Sequence, residues 1–338
     1  MDMTLEIRRV GKYVKSEMAA LNSSQLSNST MSHLGTFVLY SGLGSVIVLS
    51  NGLLLLVILF HRALRRRKEF ILIGATAFAD FLAYGLFNIT AGIYRIPKLF
   101  NRTPHQQASR LDCFLTVHLS LFYLFYIFSC LMLFALSLDR YLAVRIPLRY
   151  LRLKSEYAYK TLALVSVVSL SEYLIIGYRV WKSQAQASSP LCWGGDGALP
   201  EDYSLYFAQC TLISFLSQLL YLLVLLNYKK HLLKVAEKTK SGKGQLIWQK
   251  KLTKSVGFSC LCTFLFLGLP SISINVLSFW PQIYAVFVGW IWLINCVNPV
   301  CNLVVYVGKQ QDIRKGCWAL FRCKRMPENL SLWHNQSN

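Results

Sequence analysis

Charge is what this sequence has least of. Only 15% of its 338 residues are Asp, Glu, Lys or Arg, against roughly 25% in an ordinary soluble domain. Acid is scarcer still, with 15 Asp and Glu facing 36 Lys and Arg. The length would allow two soluble domains, but so little charge argues against both. The six histidines are scattered, His33 and His61 among them. No HExxH and no cluster of His or Glu with ligand or catalytic spacing occurs, so the residue pattern of a metallohydrolase is missing, and no enzyme activity is expected. Ten cysteines are too few for a disulfide scaffold. The amino terminus has no basic start followed by an apolar core, so no cleaved signal is expected.

What is present in quantity is apolar sequence, 54% of the residues, in long blocks rather than alternating patterns. The blocks run at 36–60, 70–94, 114–138, 161–180, 204–228, 255–279 and 283–307. Each approaches the roughly 20 residues that a ~30 Å hydrocarbon core demands of a helix. We expect an all-α membrane protein, a seven-helix bundle over 35–308. A disordered extracellular tail over 1–34 precedes it, an amphipathic cytoplasmic helix over 309–323 comes after it, and a short tail over 324–338 ends the chain. Cys130, Cys210, Cys260, Cys262, Cys296 and Cys301 fall inside the blocks as small packing residues. Glu172 interrupts the fourth block. It is either an acid in a pocket or a protonated carboxyl bonded to the neighbouring helix.

The net charge of +21 could suggest nucleic acid, but the basic residues sit in the gaps between apolar blocks, so no nucleic-acid partner is expected. Lysine and arginine number 25 in the connections after blocks 1, 3, 5 and 7 and 10 in the tail and connections on the other side. The positive-inside rule then puts the carboxyl terminus in the cytoplasm and the amino terminus outside, in the plasma membrane. On the outer side Asn22, Asn28 and Asn101 head glycosylation sequons. Cys113 and Cys192, both in outer connections, are expected to be bonded to each other in an oxidising compartment. On the inner side Cys317 and Cys323 flank an amphipathic stretch, Ile313 to Phe321. That stretch is either a plain interfacial helix or one carrying palmitate, with membrane lipid as its partner.

Block 3 ends in Asp139-Arg140-Tyr141, followed by Pro147. Block 1 holds Asn51 and block 2 holds Asp80. Block 6 carries Phe264 and Pro270, block 7 Asn298-Pro299, and Tyr228 stands at the inner end of block 5. Together these resemble the rhodopsin-like (class A) G-protein-coupled receptors over about residues 36–323. The stretches Arg110-Leu111-Asp112-Cys113-Phe114 and Lys68-Glu69-Phe70-Ile71 are similar to nematode Srsx-type chemoreceptors. The resemblance implies a receptor for an extracellular ligand that activates a heterotrimeric G protein, with a chemosensory role if the narrower likeness holds. Asp139, Arg140, Tyr141, Pro147, Tyr228, Asn298 and Pro299 would then form the coupling switch. Asp80, Asn51, Ser129, Asn295 and Asn298 would form a polar core, either holding sodium or a hydrogen-bonded network without an ion. No other cofactor is expected.

The sequence also departs from that family. Gly268 stands where helix 6 usually has tryptophan, Asn302 where helix 7 usually has tyrosine, and Lys250 where an acid often holds the arginine. Phe122 replaces the aspartate of amine receptors and Trp292 the lysine of opsins, which argues against an amine or a retinal ligand. His118, Phe122, Tyr126, Tyr206, Gln209, Asn275, Trp290 and Trp292 remain as a pocket for a small molecule or a peptide side chain. A transporter or channel is the competing class, but no internal repeat or charge-lined broken helix is seen. A receptor too diverged to couple is the competing reading within the family.

Overall fold

The computed structural model describes residues 23–100, 108–183, 187–238, 258, 261–277 and 280–322. Six of its helices are long and apolar enough to cross a membrane: His33–Phe60, Lys68–Phe100, Val117–Arg145, Ser155–Ser183, Pro200–Val224 and Phe287–Gly308. A shorter apolar helix, Leu261–Ile274, stands sixth in the order, giving seven apolar helices among the described residues. A short helix, Gln311–Phe321, comes after the last of them. The first helix begins at Ser23, so residues 23–34, expected to be an irregular tail, are helical. Asn28 lies in that helix, though its side chain is outside the described residues, as are Asn22, Asn101 and Cys323. A single pair of two-residue strands, Ala108–Ser109 against Ala187–Ser188, is the β structure among the described residues.

The outward faces of the spans are as apolar as the inward ones. Leu49, Leu56, Ile93, Leu164, Val167 and Val304 are all exposed, which water would penalise and lipid does not. The fourth span shows the sorting most simply. Its buried residues, Ala158, Val165, Ser169, Ile176 and Val180, recur every four or seven positions and so form one narrow stripe. The third span is the hub, packing against the second, fourth and fifth.

The first two spans approach closely enough to exclude side chains. A Cβ on Gly44 would lie 2.8 Å from the Gly85 carbonyl oxygen, and one on Gly85 would lie 2.8 Å from Val48. Gly85 belongs to a π-helical stretch, Phe81–Leu86, that begins directly after Asp80. A second such stretch, Phe264–Gly268, precedes Pro270. These wider turns rotate the later part of each helix relative to its earlier part, a device concentrated at functional sites. Two cores result. One lies at the end carrying the Cys113–Cys192 disulfide, the other at the end carrying Arg140.

Candidate functional site

At the far end of the third span Asp139 and Arg140 are both fully buried. Burying two charges is costly unless each is paired and its remaining polar atoms are satisfied. Arg140 donates through Nε to Asp139 Oδ2 at 3.0 Å, and through Nη2 to the same oxygen. Nη2 also donates to the Tyr150 hydroxyl at 2.8 Å. That hydroxyl has one proton and two acids to give it to, Asp139 at 3.1 Å and Glu69 at 3.2 Å. Burial, against the pull of the Arg140 cation, holds the Tyr150 phenol above its ordinary pKa, so it stays a donor. Lys68 closes the group from the second span. Its Nζ donates to the Tyr150 and Leu153 carbonyls at 2.5 and 3.0 Å and lies 3.6 Å from the centre of the Tyr150 ring. Two acids and two bases thus form a neutral buried cluster around one phenol.

Sequence reasoning singled out Tyr141 and missed Tyr150, Glu69 and Lys68 as members of this site. Tyr141 is only half-buried and packs among apolar neighbours. The available signal was Glu69, the lone acid between Glu17 and Asp80, placed directly after the basic run Arg65-Arg66-Arg67-Lys68. Pro147 opens the short helix Pro147–Arg152, where its fixed φ suits a first helical position. That helix delivers Tyr150 to Arg140. The side chain of Tyr228, and Lys250 altogether, lie outside the described residues.

Nearer the middle of the bundle Asp80 is buried, with both carboxylate oxygens occupied. Ser129 Oγ donates to Oδ1 at 2.7 Å and Asn302 Nδ2 to Oδ2 at 2.9 Å. The expected partners Asn295, Asn298 and Asn51 make no direct hydrogen bond to Asp80, and Asn302 takes that place. Asn51 Nδ2 instead donates to the carbonyls of Ile47 and Pro299, both at 3.2 Å. Asn51 Oδ1, Asn298 Oδ1 and both amide atoms of Asn295 are buried without a hydrogen-bond partner among the described residues. Buried acceptors without a partner suit a hard cation or ordered water.

At the other end, the loop after the fourth span is tied down over the bundle. Cys113 and Cys192 are disulfide-bonded. Cys192 has φ 45°, a left-handed conformation costly for a residue with a side chain. Its carbonyl accepts from Arg95 Nη2 at 2.9 Å and from the His118 ring at 3.1 Å. Arg95 also donates to the Leu191 carbonyl at 3.0 Å, and its guanidinium lies 4.6 Å from the Trp193 ring. Arg110 donates to the Ala198 carbonyl. Asp196 sits in this loop, where burial pushes its carboxyl up from the usual range.

Beneath the loop, the expected pocket residues divide. Phe122, Tyr126 and Tyr206 are buried, and Trp292 joins them, its ring 5.9 Å from Phe122 and 6.2 Å from Tyr126. The Trp292 indole donates to Asn88 Oδ1 at 3.1 Å. Tyr206 spends its hydroxyl on the third span's backbone, at the Phe122 and Tyr123 carbonyls, so its role there is packing. Gln209 Oε1 is buried without a partner among the described residues. Trp290 is a correction. It is 65% exposed on the bundle's outer surface, two positions from Trp292 and so on a different helix face. The Asn275 side chain lies outside the described residues. Glu172 is half-buried and forms no hydrogen bond with a described residue.

Cys317 is a second correction. Its side chain is buried in the core at the Arg140 end, and burial raises its thiol pKa. Neither fits an acylated cysteine, whereas Trp318 and Phe321 on the same helix are exposed. No curated protein matches the chain. Residues 50–302, well over half of its length, match the family described as 7 transmembrane receptor (rhodopsin family), and the protein belongs to that family.

Proposed function

We propose that the Arg140 end faces the cytoplasm at the plasma membrane, and that a ligand bound from outside frees Arg140 to meet a heterotrimeric G protein. The observation that carries this reading is the neutral cluster itself. Arg140 is buried and satisfied by Asp139 and Tyr150, so a partner can reach it only after those bonds open. Tyr150, on a connection rather than a span, is the member best placed to leave.

Glu69 of the second span accepts from the Tyr150 hydroxyl at 3.2 Å and so brings a second acid to the cluster that holds Arg140. The ligand is read as a small molecule or a peptide side chain meeting the ring cluster of Phe122, Tyr126 and Trp292. An amine finds no acid at Phe122, and a retinal Schiff base finds no lysine at Trp292. A chemosensory role rests on the Srsx likeness alone.

The test needs no ligand. Full-length receptor in lipid nanodiscs is assayed for nucleotide exchange on a panel of purified heterotrimers. Tyr150→Phe should raise basal exchange several-fold, and adding Arg140→Ala should return it to background. No exchange with any heterotrimer by a well-folded Tyr150→Phe protein overturns the coupling reading and leaves a non-coupling receptor. For the Asp80 cluster, sodium in place of potassium should raise the melting temperature of the wild type and leave Asp80→Asn unmoved; equal response of the two proteins removes the ion.

A further inference from the structure

A crevice of about 560 Å³ opens on the bundle's outer wall in the half that carries Arg140. Ile58 and Leu59 line it from the first span, Ala75 from the second, Phe128 from the third, and Leu162 and Leu170 from the fourth. Its size lies within the roughly 300–1,000 Å³ range of ligand sites, yet its lining is almost wholly apolar. The two serines that face it do not change this. Ser166 donates to the Leu162 carbonyl and Ser169 to the Val165 carbonyl, each at 2.9 Å, so both hydroxyl protons are spent on their own helix.

Polarity enters only at one end. There Arg65 and Tyr159 line the mouth, and both are exposed. The Arg65 side chain makes no hydrogen bond or ion pair with any described residue. It closes the short helix Arg62–Arg65. From Tyr159 at the mouth to Leu170 at the deep end the fourth span rises about 16 Å, at ~1.5 Å per residue. That is close to half of a ~30 Å hydrocarbon core, the depth of one leaflet.

We propose that this crevice is a binding site for an anionic glycerophospholipid, with one acyl chain along the slot and the net negative headgroup against Arg65. An apolar slot one leaflet deep fits a chain, and the exposed cation at its mouth selects the headgroup charge. A sterol fits the apolar part but carries nothing to neutralise Arg65. The proposal rests on the reading that this end faces the cytoplasm, where anionic lipids are concentrated. Its test, however, depends neither on orientation nor on coupling.

Purified full-length protein is equilibrated with equimolar phosphatidylserine, phosphatidylcholine and cholesterol, and the retained lipids are counted by native mass spectrometry. The wild type should keep one phosphatidylserine in preference to phosphatidylcholine by about five-fold, the effect of one basic residue near an anionic surface. Arg65→Gln, an exposed substitution that leaves the bundle intact, should bring that preference to unity. Ala75→Phe, which fills the slot, should lose both phospholipids. Equal retention of the two phospholipids by the wild type, an unchanged preference in Arg65→Gln, or cholesterol as the retained lipid overturns the proposal. A failed G-protein assay would leave this result untouched, and the reverse holds too.

Discussion

Lys68 shows how a single side chain holds two segments together. Its aliphatic stem is buried at a span end while its ammonium bonds two carbonyls of the connection that carries Tyr150. Removing one member of a buried charge cluster leaves an uncompensated partner, which costs more than the pair contributes. Lys68→Met should therefore destabilise the receptor by about 3–5 kcal/mol, read as a drop in melting temperature in detergent, and Lys68→Arg should recover part of it. A melting temperature equal to that of the wild type would refute the role given to Lys68. Asn302 is the converse case. In the place of a family tyrosine it reaches Asp80 itself, so the departure from the usual motif makes a new bond rather than a gap.

At the scale of elements, the loop holding Cys192 is a fixed cover. The disulfide joins it to the third span, and Arg95 joins it to the second through two carbonyls. Hydrogen bonds from a charged donor contribute about 1.5–3 kcal/mol each. Arg95→Met should loosen the loop by an amount in that range, seen as faster amide hydrogen exchange over 187–199 while the disulfide stays intact. Unchanged exchange there would remove the clamp. The last helix behaves differently. Gln311–Phe321 docks through His61, whose ring meets the Gly316 carbonyl at 3.0 Å, and through Arg67 to Asp312 at 3.1 Å. It turns Cys317 inward and leaves Trp318 and Phe321 for the membrane surface.

For the whole molecule, stability rests on helices that pack without a hydrophobic drive toward one another, since lipid is as apolar as leucine. Close packing must supply the difference. The glycine contact between the first two spans is where that is most visible. Gly85→Leu would drive a side chain into Val48, and overpacking of this kind costs about 1–3 kcal/mol. The expected outcome is a lower melting temperature and less protein at the cell surface, with Gly85→Ala milder. Wild-type behaviour of Gly85→Leu would show that the two spans do not pack as described.

The amino-acid sequence by itself determined the class of molecule. Seven long apolar runs have only one way to satisfy their backbone in lipid, as helices, and the motifs spaced along them pointed to the family before any coordinate did. It also marked Asp80 and Arg140, because a charge inside an apolar run stands out on composition alone. What it could not show was which side chains meet those charges. Tyr150, Glu69 and Asn302 reach their partners across 10 to 222 residues of chain, and Trp290 and Trp292, two positions apart, end on different helix faces. Such pairings depend on helix rotation and on the π-helical turns that reset it. Only the packed bundle decided them, because the angle at which one helix presents a residue is set by the helices it touches.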